Sequence, residues 1–271
     1  ALIGVCPEDD ESLLQAVLRL AQPTRLIKVV NSGLNSMTRF AQQTEPQFSR
    51  QQLGELVSEA KRLGAKVMVH ANGEDPVRTA VEAGCHSIEH GFFMGRQNLE
   101  LMADKGVYWV PTIYTMKAYA LNAEHYRTSI DVKVAEQNLA HQLEQVALAR
   151  ELGVTVALGT DSGSIGVLHG ESLVEEMKLF MRAGFSLAET IGCATKQGAQ
   201  LLGLTDLGTI EPGKPANFLV ARGTPSQLPR KLTYLETIYL NGQPSQAYRR
   251  DPDYTTLRKF EGVAFSGKVR Y

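Results

Sequence analysis

The sequence predicts an α/β fold, a (β/α)8 TIM-like barrel incomplete at its N-terminus, with part of a small β-sandwich at its C-terminus. Two observations predict the barrel. Short apolar runs alternate with stretches of helical periodicity. Five strand–helix units can be counted, ending at Lys28, His70, His90, Thr112 and Asp161, and right-handed crossovers put such ends on one face of a sheet. A third observation predicts the second domain: past residue 203 the pattern changes to turns and short strands. Residues 1–203 therefore read as barrel, and 204–271 as a sandwich portion and tail. Five units do not close a barrel, so the missing strands are expected to precede Ala1.

Composition narrows the field. A chain of 271 residues, 43% hydrophobic, can bury a full core. Its net charge of -1 gives no bulk field for nucleic acid or an anionic membrane. No apolar run is long enough to span a bilayer, and the start, ALIGVCPEDDES, lacks the pattern of a signal peptide. Cys6, Cys85 and Cys193 are far apart and form no CxxC. That argues against a disulfide scaffold and suits a reducing, cytoplasmic setting. A chain beginning with alanine is expected to have residues upstream.

The elements follow in order. Asp10 to Leu20 is helical, with Leu13, Leu14, Val17 and Leu20 on one face, and Pro23 ends it. Leu26 to Val30 is a strand carrying Lys28, whose ammonium is costly in an apolar strand unless it reaches an edge or loses its charge. Asn31 to Gln47 is a polar loop. Ser49 and Gln52 form a capping box for a helix with Leu53, Leu56, Val57 and Ala60 on its apolar face, closed by Gly64. Ala65 to Val69 is a strand ending at His70. Asp75-Pro76 reads as an N-cap with proline at the first helical position, and that helix stops at Gly84. A further strand ends at His90-Gly91. Asn98 to Lys105 is a short helix, Val107 to Val110 a strand ended by Pro111-Thr112, and Met116 to Leu152 one long helical region, polar on one side. Val154 to Leu158 is the next strand and delivers Gly159-Thr160-Asp161-Ser162-Gly163. Two helices follow, with Ser186 and Glu189 as a capping box, and the alternation ends near Leu202. Asn217 to Ala221 and Leu235 to Leu240 are short strands, and Asn241-Gly242 is a hairpin turn. The tail from Tyr248 carries no readable pattern.

Imidazoles at strand ends are either metal ligands, acid/base groups or plain hydrogen-bonding loop residues. His70 and His90 with the Asp161 carboxylate make a ligand set for a divalent metal such as zinc. Lys28 as an ammonium cannot ligate, whereas a lysine carboxylated by carbon dioxide is an anionic carbamate that can, and can bridge two ions. A metal lowers the pKa of its water toward neutrality. Asp161 is then placed to hold that water, take its proton and pass it to a leaving nitrogen.

The pieces IKVVNSG around Lys28, VHANG around His70, IEHG around His90 and GTDSG around Asp161, followed by GTIEPGKPANFLV, resemble the amidohydrolase superfamily of metal-dependent hydrolases, in its imidazolonepropionase-like and Xaa-Pro dipeptidase (prolidase)-like branch. The resemblance implies two zinc ions or another divalent metal, Lys28 as a carboxylated bridge, His70 and His90 as ligands of the second metal, and Asp161 as ligand of the first and general base. It puts His169 at a substrate contact, against the alternative of an ordinary loop histidine. It leaves Tyr114 either touching substrate or only packing. It implies a small amide or dipeptide substrate, and a homo-oligomer to which no residue here points. One departure stands out: the family carries an HxH pair on its first strand, and this sequence has none. The expectation is a metal-dependent hydrolase of a C–N bond, with a catalytically silent binding module or a deaminase of the same superfamily as alternatives.

Other signals carry less. Gly208 to Pro215 nearly matches a phosphate-binding loop, but Pro215 stands where a hydroxyl residue belongs. His86 either faces inward or is a hydrogen-bonded structural residue. His125 and His141 read as surface residues, Cys85 and Cys193 as small buried hydrophobes, and Trp109 as core.

Overall fold

The computed structural model describes residues 11–20, 25–125 and 130–246, and the chain divides into two compact units, Ala1–Thr209 and Ile210–Tyr271. Cys6, Asp10, Pro23 and the tail from Tyr248 lie outside the described residues, as do the side chains of Leu20 and His125.

The first unit is built on parallel strands β1 (Leu26–Val30), β2 (Lys66–Ala71), β3 (Ser87–His90) and β4 (Tyr108–Val110), in the order β1-β2-β3-β4. The register sets Val30 beside His70, Ala71 beside His90 and Glu89 beside Val110. On one face Ile27, Val29, Val67, Val69, Ile88 and Trp109 are buried under helices, each large side chain contributing about 1.5–3 kcal/mol of burial. On the other face Val110, Ala157 and Leu201 form a small inner cluster with Tyr108 beside it.

The fifth strand is a correction. Where Val154 to Leu158 was expected to be a strand, a single parallel bridge joins Trp109 and Val156. The next step of the ladder would need an N–H at residue 111 to donate to the Ala157 carbonyl, and Pro111 has none, so pairing stops after one step, while the Leu158 N–H, on the other side of the chain, donates to the Cys193 carbonyl at 3.0 Å. Among the described residues the sheet is an open arc.

The helices are α1 (Leu13–Leu20), α2 (Arg50–Arg62), α3 (Glu74–Glu82), α4 (Gly95–Lys105), α5 (Tyr114–Asn122), α6 (Val132–Glu151), α7 (Glu171–Arg182), α8 (Leu187–Gly192) and α9 (Gly198–Leu202). A π-helical turn, Cys193–Gln197, joins the last two. Both expected capping boxes are present, at Ser49/Gln52 and Ser186/Glu189. Three boundaries differ from expectation. The N-cap of α3 is Gly73, not Asp75, because the Gln43 side chain reaches in from the loop to accept the Glu74 N–H at 2.9 Å. Helix α4 starts ahead of Asn98, whose amide donates back to the Met94 carbonyl at 2.6 Å. The long helical region is two helices: α5 ends in a 3-10 turn, and α6 begins afresh at Asp131, which accepts the N–H groups of Lys133 and Val134. Among the described residues no helix is long and apolar enough to cross a membrane.

The second unit is one antiparallel sheet of β5 (Phe218–Ala221), β6 (Leu235–Leu240) and β7 (Gln243–Pro244), in the order β5-β6-β7. Asn241 and Gly242, at φ 51 and 78, make the hairpin turn that Asn-Gly favours. A second sheet, which a sandwich requires, is not present among the described residues.

Candidate active site

Lys28 from within β1, His70 and His90 near the ends of β2 and β3, and Asp161 from the loop ahead of α7 line one cavity of about 490 Å³. The rings of His70 and His90 lie 4.6 Å apart, edge to face. Nε2 of His70 sits 3.2 Å from the Gly33 carbonyl, and Nδ1 of His90 sits 2.8 Å from the Thr112 hydroxyl. Nε2 of His70 also lies 3.4 Å from the Asn72 amide nitrogen, and in the tautomer that donates to the Gly33 carbonyl its Nδ1 keeps a lone pair. In the tautomer whose Nδ1–H donates to the Thr112 hydroxyl, Nε2 of His90 keeps the lone pair. Burial holds both imidazoles below their ordinary pKa. His90 lies well below it, with the neighbouring His70 and Lys28 adding to the effect. Two neutral donors therefore stand side by side.

Lys28, from the middle of β1, opens to the cavity. Desolvation lowers its pKa, against the pull of the Glu89 and Asp161 carboxylates. Asp161 is exposed, and its Oδ2 accepts the Ser164 hydroxyl at 2.7 Å. His90, Thr112 and Asp161 all carry positive φ, at 67, 46 and 56. Left-handed backbone at residues other than glycine, and at a β-branched threonine above all, costs about 1–3 kcal/mol per site and persists only when surrounding contacts enforce it. Each turn swings a side chain off the strand's regular alternation.

Those surrounding contacts were not read from the sequence. The His90 carbonyl accepts from the Trp109 indole at 3.0 Å and from Gln142 of α6 at 2.6 Å. Gln142 also donates to the Pro111 carbonyl at 3.0 Å, and Gln145 donates to the Gly91 carbonyl at 3.3 Å and to Gln142 at 2.8 Å. Gly91, at φ 62, lies so close to Trp109 that a Cβ there would meet the indole nitrogen at 2.6 Å. Glu176 of α7, fully buried, accepts the N–H groups of Ile113 and Tyr114 at 2.8 and 2.6 Å and so caps α5 just past Thr112. Burial pushes its carboxyl up to about 8. The spacing of Gln142 and Gln145 on the polar side of α6 was the available signal, but a polar stripe reads first as solvent-facing. Glu89, buried beside Lys28 and accepting the Ser87 hydroxyl, was also missed.

The remaining sequence candidates fall elsewhere. His169 is exposed and does not line the cavity. Tyr114 does not line it either: its backbone is held by Glu176 and its ring sits under the Lys117 ammonium, 5.8 Å from the centroid, while Tyr119, further along α5, lines the cavity. His86 is structural, its Nδ1 accepting the Val67 N–H at 3.0 Å. His141 is not a surface residue: it is half-buried, with its ring 4.5 Å from that of Phe93. Cys85 and Cys193 are buried, and burial raises both thiols.

The donors fit a metal in part. The histidine pair offers two lone pairs, but among the described residues no three His, Cys, Asp or Glu side chains converge as a ligand cluster. A third donor from this chain would have to be Lys28 in carboxylated form, or Asp161 brought closer.

A parallel α/β sheet with candidate ligands near the carboxyl ends of successive strands defines the class of this unit. The chain belongs to the amidohydrolase family, whose model matches residues 3–271. It is 32% identical over 187 residues to the ochratoxinase of Aspergillus niger, covering 68% of this chain and 38% of that protein. It is 27% identical over 181 residues to the imidazolonepropionase of Paracoccus denitrificans, covering 64% and 39%. A crystal structure of a Xaa-Pro dipeptidase with bound methionine superposes with a TM-score of 0.71 at 29% identity, covering 84% of this chain and 56% of that one. The chain thus spans less than two thirds of each of these relatives. They fall in the branch that the strand-end motifs resemble.

Proposed function

We propose that the chain carries the metal-binding and proton-transferring residues of a metal-dependent amidohydrolase, cleaving the amide or peptide C–N bond of a small substrate. The open sheet is read as part of a (β/α)8 barrel. The observation that carries this reading is the convergence of Lys28, His70, His90 and Asp161 on one cavity at strand ends. Family membership and the amide-cleaving relatives support it.

His70 and His90 would hold a zinc ion or another divalent cation through ring nitrogens that their other hydrogen bonds leave free. Lys28 joins after its free amine adds to carbon dioxide, forming an N–C bond and releasing a proton to solvent. Its lowered pKa enlarges the free-amine fraction. As a carbamate it would be an anionic ligand for the cation. The metal, when bound, supplies Lewis acidity and acidifies water. Asp161 is fixed through Oδ2 by Ser164, which leaves Oδ1 to take a proton from the attacking water and hand it to the leaving nitrogen. Thr112 and the Gly33 carbonyl orient the two imidazoles, as second partners of metal-bound histidines do.

A binding module without catalysis is the second reading, favoured by the lack of a three-residue ligand cluster among the described residues. The protein loaded with zinc and bicarbonate separates the two. The hydrolase reading expects retained zinc after desalting, loss of that zinc in His70→Ala and His90→Ala, and release of amine from N-acyl amino acids or dipeptides. Zinc lost on desalting, with no hydrolysis, would overturn it.

A further inference from the structure

Asn72, two residues past His70, is buried and lines the cavity. Its amide cannot turn over. Oδ1 accepts the Phe92 N–H at 3.0 Å, and a reversed amide would set a donor against that donor. The backbone is held as well, the Asn72 N–H donating to the Ser32 hydroxyl at 2.9 Å. The residue is thus tied to the segment after β3 on one side and to the loop after β1 on the other. Nδ2 is left facing two groups at once: it lies 3.4 Å from Nε2 of His70 and 3.5 Å from the Gly33 carbonyl.

The acceptors at this point are one too few. The Ser32 hydroxyl, whose oxygen takes the Asn72 N–H, gives its own proton to the Gly33 carbonyl at 2.9 Å. That leaves the carbonyl one of its two lone pairs. Nε2 of His70, at 3.2 Å, and Nδ2 of Asn72 compete for it. Two arrangements of the neutral ring follow. In the first, Nε2–H of His70 donates to Gly33 and Nδ1 keeps a lone pair, while the Asn72 amide loses its acceptor. In the second, Asn72 donates to a lone pair on Nε2, and the ring proton sits on Nδ1. A buried amide without an acceptor is unfavourable, so Asn72 pulls toward the second arrangement. Only the first can hold a cation. In the second, one ring nitrogen carries a proton and the other is occupied by the amide.

We propose that Asn72 is a positioning residue that sets the metal affinity of His70: in the metal-free protein its amide donates to Nε2 and holds part of the histidine population with the proton on Nδ1, and a divalent cation binds as that proton returns to Nε2 and is given to Gly33. This deepens the hydrolase reading and rests on it for the cation, whereas the place of the proton belongs to the metal-free chain. A ring that is competent for only part of the time binds its cation more weakly by that fraction.

The test uses the full chain, stripped of metal and carrying nitrogen-15 histidine, with the imidazoles neutral. Two-bond proton–nitrogen correlations then tell the two tautomers apart, and the His70 signals are those missing from His70→Gln. Wild type is expected to show both tautomers. Asn72→Asp keeps an acceptor for Phe92 and turns the competing donor into a second acceptor, so His70 is expected wholly in the Nε2–H form. Asn72→Leu deletes the donor without adding charge. Its ring is expected to shift the same way, and zinc affinity in chelator competition to rise by about two- to tenfold, the reciprocal of the competent fraction in wild type. A residue with a merely structural role would weaken zinc binding when replaced. His70 already wholly Nε2–H in metal-free wild type, or a tautomer ratio unmoved in Asn72→Asp, would overturn the proposal. So would weaker zinc binding in Asn72→Leu while the other histidine signals stay in place. Zinc retained by none of these proteins would sink the hydrolase reading, and the metal-free spectra would still decide the part played by Asn72.

Discussion

At His90 the side chain and the backbone are fixed by different neighbours. The Thr112 hydroxyl holds Nδ1 at 2.8 Å, while Trp109 and Gln142 hold the carbonyl. The first contact decides which nitrogen is free, and the second decides where it points. Thr112→Val keeps the shape of the residue and deletes only the hydroxyl. It is expected to weaken zinc binding by about 10–100-fold, the usual effect of losing a histidine's outer partner, and to cost about 1 kcal/mol in stability. A chelator-competition titration beside a urea melt measures both. Unchanged zinc affinity would show that Thr112 does not orient the ring.

At the scale of elements, α6 is less a solvent-facing helix than a clamp on the strand ends. Gln142 is fully buried and serves the carbonyls of His90 and Pro111 from one amide, with Gln145 bracing it. Gln142→Leu preserves volume but strips the Pro111 carbonyl of this donor and the His90 carbonyl of one of two. It is expected to cost about 1–3 kcal/mol in urea unfolding. Gln137→Leu, on the exposed side of the same helix, should stay within about 0.5 kcal/mol of wild type. Equal effects from both would deny the clamp. The amphipathic pattern made this helix easy to place in the sequence and its function hard to see, because a glutamine facing water and one facing a buried carbonyl are the same letter. The same ambiguity hid Glu176 and Glu89. The strands that carry Lys28, His70 and His90 were legible because period and apolar run agree there. Val154 to Leu158 was not, because its pairing depends on a partner strand ended by Pro111, which has no N–H to continue the ladder.

For the molecule as a whole, the response of stability to pH carries the mark of Glu176. Its folded pKa of about 8 lies above the ordinary 4.5, so the native state holds the proton more tightly than the unfolded chain does. The associated stability is fully present below pH 4.5 and is lost as pH rises through about 8. Glu176→Gln removes that slope. It offers one acceptor to two N–H groups, a deficit of about 1–3 kcal/mol, so its disadvantage against wild type should be largest near pH 5 and shrink toward pH 8. Unfolding midpoints at those two values decide it, and a gap that does not change with pH would mean that Glu176 titrates normally.

The left-handed backbone at His90, Thr112 and Asp161 has a further consequence, in evolutionary time. At these positions natural selection works against local geometry, since glycine or asparagine would sit there with less strain. A demand for the side chains, such as the proposed hydrolysis makes, would resist that drift. In any descendant freed from the demand, these three codons should be among the first to change, and toward small or amide residues rather than at random. The strained turns would then serve as a clock that starts when the chemistry stops.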